Sequence, residues 1–159
     1  STPLAYALER EHPGERSIIP DDPMLAYLSD LLEDFGDEWV TKMMFHYRWY
    51  YAADRDFAQT WIITSRDPVM AADARRAGMK AFNDRQVGRM ALVGCTEQNR
   101  PVIEDSYRVV LDTLDRHVRA IPFLFGARPS LADFGLYGQL QILSVDPTPM
   151  AEMRARAAD

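Results

Sequence analysis

IPFLFGARPSLADFGLYGQL, residues Ile121 to Leu140, contains the start of a helix written out almost in full. Ser130 stands where an N-cap belongs and Asp133 follows three residues later, the spacing of a capping box. In that arrangement the Ser hydroxyl and the Asp carboxylate satisfy backbone N–H groups that the first helical turn leaves without partners. Pro129 and Phe134 fall at the flanking positions where a hydrophobic staple closes, and Gly126 supplies a turn just upstream. By itself a capping box says only that a helix begins here.

Outward from this point the pattern stays helical. Asp22-Pro23 and Asp67-Pro68 each place a capping residue before a proline suited to the first helical position, and Pro101 opens another segment. The spacing predicts helices over about 3–11, 23–57, 68–93, 101–120, 131–143 and from 149 onward, the last capped by Thr148 ahead of Pro149. No alternating strand pattern of useful length occurs. The long second segment carries MMFHYRWYY, Met43 to Tyr51, and two apolar stripes: Leu28, Leu32, Phe35, Trp39, Met43, His46 and Tyr50 in one, Val40, Met44, Tyr47 and Tyr51 in the other. Two stripes mean a helix covered on two sides. Gly36 within it is either a bend or a tolerated glycine.

The context of the capping box, an amphipathic helix ending LDRHVRAIPFLFG followed by a short turn, S-x-x-D and an apolar helix, resembles the helix junction at the heart of the all-helical C-terminal domain of the glutathione transferase superfamily. A second likeness lies at the other end. Ser1-Thr2-Pro3-Leu4, Ala7-Leu8-Glu9 and His12-Pro13 are similar to the last helix of that family's thioredoxin-like domain, and Ile18-Ile19-Pro20-Asp21-Asp22-Pro23 to its interdomain linker. The resemblance implies an all-α helical bundle of the glutathione transferase C-terminal type over 23–159, a linker over 14–22, and a remnant of the thioredoxin-like domain over 1–13. It implies a longer protein whose catalytic Tyr, Ser or Cys lies outside this chain, so that no catalytic residue is assigned here. It further implies glutathione as co-substrate, a small hydrophobic electrophile as its partner, a homodimer and a cytoplasmic setting, or else a non-catalytic relative that keeps the fold for binding or assembly.

Residue by residue, the resemblance assigns Ser1 to the γ-glutamyl carboxylate of glutathione, at a helix start suited to an anion. It places Met43, Met44 and Tyr47 on the helix that lines the electrophile pocket, where polarizable Met side chains suit hydrophobic ligands. The stripes alone read equally as core. Ser130 and Asp133 are architectural on either reading. The stretch from about Ala53 to Gln98 is longer than the family pattern leads one to expect.

Composition sets outer bounds. A net charge of −6 and a pI near 5.0 disfavour a nucleic-acid backbone as partner. No apolar run approaches a membrane span. The lone Cys95 rules out an internal disulfide framework and lacks a visible activating base. Glu9 and His12 have the Glu-x-x-His spacing of di-iron bundles, but only once, so no metal is assigned. The DFG triplets at Asp34 and Asp133 lack the companion loops of a kinase.

Overall fold

A computed structural model describes residues 2–14 and 16–157; Ser1, and with it the glutathione contact assigned to it, lies outside the described residues. The fold is all-α, and among the described residues the only β pairing is an isolated bridge between Phe123 and Gly126. Helix α1 (Thr2–Glu11) precedes α2 (Pro23–Asp34), a π-helical stretch over Phe35–Val40, and α3 (Thr41–Tyr50). Then come α4 (Ala52–Arg66), α5 (Ala72–Arg89), a 3₁₀ turn at Ala91–Val93, α6 (Arg100–Val118), α7 (Leu131–Leu143) and α8 (Pro147–Arg156).

The junctions of α2, the π stretch and α3 stay in right-handed helical backbone, so the three form one continuous rod. A π turn holds extra residues per turn and rotates the faces on either side of it. The fully buried line runs Ser29, Glu33, Gly36, Val40, Met43 and Tyr47; it takes Val40, Met43 and Tyr47 from the two apolar stripes, whose Phe35, Trp39, Met44 and Tyr50 pack partly buried against the same core. Small groups on this line allow close approach to α7. A Cβ added at Gly36 would lie 3.0 Å from the Gly135 carbonyl carbon, and one added at Gly135 would lie 3.0 Å from Glu33 Cγ. Beyond the crossing, Val40, Met43, Tyr47 and Trp49 meet Ile103 and Tyr107 of α6 and Leu143 of α7 in the main core. The Trp49 ring packs edge-on against Phe82 of α5 at 5.6 Å, tying the 53–98 stretch to this core.

The expected 23–57 helix stops early. At Tyr51 the backbone turns extended, with φ −84° and ψ 138°, and α4 leaves in a new direction as far as Arg66. Neither Gly nor Pro marks this break. Arg55 reaches back from α4 to the carbonyls of Trp49 and Tyr50, at 3.4 and 3.2 Å, supplying donors to the open end of α3. Asp67 and Pro68 also do not start a helix: Asp67 accepts from the Val69 N–H at 3.2 Å in a turn, and α5 begins only at Ala72. It ends at Arg89, before the 3₁₀ turn and Gly94 at φ +77°.

The last helix starts at Pro147 with Asp146 as its N-cap, ahead of the expected Thr148. The Asp146 side chain does not cap, because it is engaged by Arg48: Nε to Oδ2 at 2.7 Å and Nη2 to Oδ1 at 3.0 Å, both residues buried. Asp54 of α4 provides the missing acceptor. It takes the Thr148 N–H at 2.8 Å and the Thr148 hydroxyl, so α8 is capped by a carboxylate from another helix.

Candidate functional site

The segment around the capping box builds one wall of an apolar groove. Helix α7 presents Asp133, Leu136, Tyr137 and Leu140 at helical spacing, facing Leu114 and Val118 of α6. Between the two helices the chain folds into a small loop: Phe123 and Gly126 exchange backbone hydrogen bonds at 3.2 and 3.3 Å, and Gly126 adopts φ +136°. The resulting groove holds about 570 Å³. It continues into a second depression of about 380 Å³ that shares Leu114, Leu124 and Leu136 and reaches Leu32 and Phe35. Phe134 at 52 % and Tyr137 at 66 % exposure leave large apolar surfaces at its mouth.

Asp133 holds the wall of this groove as well as the helix end. The capping box forms, and the carboxylate accepts the Ser130 N–H and hydroxyl on Oδ2, each at 2.8 Å. Its Oδ1 accepts the Leu124 N–H at 3.0 Å, which pins the loop across the groove. His117 makes a further tie through Nε2 to the Phe123 carbonyl at 3.2 Å. Ser130→Ala is expected to cost about 0.5–2 kcal/mol, as a lost cap does. Asp133→Ala is expected to cost more, on the order of 3 kcal/mol, because several donors lose their acceptor together. Paired thermal melts check the order.

The segment ahead of α2 and the cap of α7 meet directly. The Leu131 N–H donates to the Ile18 carbonyl at 2.9 Å, and the Ala132 N–H donates to the Ser29 hydroxyl at 3.2 Å. Thus the two segments singled out at opposite ends of the sequence form one junction around the start of α7. Helix α1 has no buried residue and is fastened by hydroxyls: Thr2 to Glu33 at 2.6 Å and Tyr6 to Asp30 at 2.5 Å. No protein-family model, curated protein or solved structure matches the chain.

Of the pocket residues suggested by the aromatic helix, Met43 at 0 % and Tyr47 at 2 % exposure are core, and Met44 is partly buried against the same cluster. None of the three lines the groove. This face of α3 packs on α6, where the Tyr47 ring lies edge-on to Tyr107 at 5.1 Å. Apart from Asp133 of the capping box, the groove residues on α6 and α7 carry no motif beyond apolar helical spacing, which is the signal that could have found them.

The other polar cluster is interior. His46 is fully buried, stacked on Tyr50 at 4.8 Å, with Nε2 3.1 Å from Glu104 Oε1; the Tyr51 hydroxyl donates to the same oxygen at 2.6 Å. His46 Nδ1 has no hydrogen-bond partner, which fits a neutral ring donating through Nε2. Burial holds the imidazole below its usual range, although Glu104 pulls the other way. The unfolded chain therefore takes up a proton at a pH where the folded one does not, and stability is lost as pH falls below about 6.5. The expected slope approaches about 1.4 kcal/mol per pH unit until the folded ring titrates, and His46→Gln flattens it. Chemical denaturation at a series of pH values between neutrality and the carboxylate range reads this out. Asp54, pushed up by burial, works in the opposite sense at more acid pH.

Cys95 is buried, its thiol donates to the Lys42 carbonyl at 3.6 Å, and burial pushes its pKa up to about 11. That environment suppresses the thiolate a nucleophile needs. Glu9 gives its two oxygens to Ser17 and the Ile18 N–H. Among the described residues no group of three or more His, Cys, Asp or Glu side chains is placed to hold a metal, and no helix is long and apolar enough to cross a membrane.

Proposed function

We propose that this chain is the helical, electrophile-binding part of a glutathione transferase-like protein. The observation that carries the reading is the junction at α7: the linker-like Ile18 and the S-x-x-D cap at Ser130 and Asp133, far apart in sequence, are joined by the Leu131–Ile18 hydrogen bond. On this reading the groove between α6 and α7 takes the hydrophobic body of the electrophile in place of Met43, Met44 and Tyr47. Its volume and apolar lining suit a small organic ligand. Glutathione, its activating residue and the homodimer contact belong to the proposal and come with the rest of such a protein. The reaction is attack of the glutathione thiolate on the electrophile.

One observation favours a second reading, a non-catalytic binding module. Within the groove Asp133 and His117 are already engaged with the backbone, leaving the hydroxyls of Thr113 and Tyr137 as the remaining protic groups. Calorimetry of the longer protein with glutathione separates the two. Binding of glutathione together with loss of hydrophobic-dye fluorescence enhancement in Leu140→Lys supports the transferase reading. Dye binding in the groove without any glutathione binding overturns it in favour of the module.

A further inference from the structure

The end of α3 is joined to α6 around one buried ring. His46 is fully buried, with Nε2 3.1 Å from Glu104 Oε1 of α6 and no hydrogen-bond partner at Nδ1. Three tyrosines close over it: Tyr50 stacked at 4.8 Å, and Tyr47 and Tyr51 edge-on at 5.6 and 6.3 Å. Two of them also tie the elbow between α3 and α4 to α6. The Tyr51 hydroxyl donates to the same Glu104 oxygen at 2.6 Å, and the Tyr50 hydroxyl donates to Glu97, just ahead of α6. At Tyr51 the backbone is extended, so the elbow turns on a residue outside either helix.

The charged groups facing His46 are Glu104 and Arg100 of α6 and Glu97 ahead of it, while from α4 Arg55 reaches the Trp49 and Tyr50 carbonyls. Arg100 also lies over the Tyr50 ring, its guanidinium 5.6 Å from the ring centre. A neutral imidazole suits this place, with Nε2–H on Glu104 and Nδ1 bare. A second proton puts an N–H at Nδ1, where no partner is in reach, and adds a positive charge near Arg100. Glu104 offsets that charge in part, but its Oε1 is shared with Tyr51 and its Oε2 lies 3.7 Å from Arg108. Water becomes the acceptor for Nδ1 once Tyr50 and Tyr51 move off the ring.

We propose that His46 is an acid-released latch on the α3–α4 elbow: taking up a proton at Nδ1, it parts Tyr50 from Glu97 and Tyr51 from Glu104 while the other helices stay packed. The device lies in the aromatic core and does not rest on the transferase reading. Native-state hydrogen exchange of the 159-residue chain, corrected for intrinsic rates, reads it. Elbow amides over 47–55 are expected to exchange through an opening less costly than the global unfolding that α7 amides report. That opening is expected to be insensitive to low urea, because it exposes little surface. Its population is expected to rise about tenfold between pH 7 and pH 5, a range that spans the ordinary histidine pKa.

His46→Gln keeps a donor for Glu104 and cannot take up the proton, so its opening is expected to stay constant over that range. Tyr51→Phe removes one tie and keeps the ring, so it is expected to raise the opening at pH 7 by about fivefold and to retain the acid rise. His12→Gln, at an exposed histidine, is expected to change neither. Elbow amides that exchange only together with α7 would overturn the proposal, as would a local opening indifferent to pH. An acid rise that persists in His46→Gln would place the proton on another group and sink the latch. An unchanged opening in Tyr51→Phe would do the same, since the tie to Glu104 would then hold nothing.

Discussion

Asp146→Ala is expected to destabilise the protein by about 3–5 kcal/mol, the cost of leaving a buried guanidinium without its counter-ion. Arg48 reaches Asp146 through two parallel bonds, Nε at 2.7 Å and Nη2 at 3.0 Å, and neither side chain has appreciable contact with solvent. The loss has a second component, because Asp146 sits at the start of α8, and the placing of Thr148 over Asp54 depends on that turn. Against a typical stability of roughly 5–15 kcal/mol for a domain, this is a large share. The double variant Arg48→Met/Asp146→Leu removes both charges and keeps most of the volume, so it is expected to regain at least half of the loss. Urea denaturation of the two variants decides the matter. If Asp146→Ala cost less than about 1 kcal/mol, Arg48 would have to be reaching water and the pair would not be buried in solution.

Gly36→Ala is expected to destabilise the protein although alanine favours a helix over glycine by about 1 kcal/mol. The added methyl would lie 3.0 Å from a backbone atom of α7, 3.1 Å from the Leu136 nitrogen and 3.3 Å from the Gly135 oxygen. Backbone cannot rotate away as a side chain can, so the helices must part. Overpacking of this kind costs about 1–3 kcal/mol, and separating the rod from α7 also loosens the contacts of Glu33 over Gly135. Gly138→Ala is the matched control. It lies on the same helix as Gly135 with nothing within 4 Å of its added carbon, and its melting temperature is expected to rise. Thermal melts that moved both variants in the same direction would show that the close crossing does not control stability. Gly36→Ala and Gly135→Ala are further expected to be non-additive, since each opens the same contact.

The start of α7 was legible because capping is local: Ser130 and Asp133 are three residues apart, and the geometry that joins them needs only one helical turn. The same holds for Asp22, whose carboxylate accepts the Met24 and Leu25 N–H groups at 2.9 and 3.0 Å. Asp67-Pro68 carries the same local signal and yields a turn instead, because the Asp side chain bonds the Val69 N–H without a helix following at once. The apolar stripes marked the core side of the rod at Val40, Met43 and Tyr47 but gave no sign of its close crossing with α7. Where two helices cross closely, the contact selects small residues, so Ser29 and Gly36 are buried while Leu31 remains half exposed. A scale of apolarity does not register that choice.

Sequence alone determined the all-helical class, the cap at Ser130, and the expectation of apolar faces on the segments that became α6 and α7. Tertiary structure decided the break at Tyr51, the π turn, the capping of α8 by Asp54 and the location of the groove. The division follows the range of the forces. Propensity and capping act within a turn of the chain, whereas the Arg48–Asp146 pair, the Asp54–Thr148 cap and the Gly36–Gly135 crossing join residues more than ninety positions apart. Such contacts leave no spacing in the sequence, because their distance along the chain is set by how the helices are stacked and by nothing within either helix.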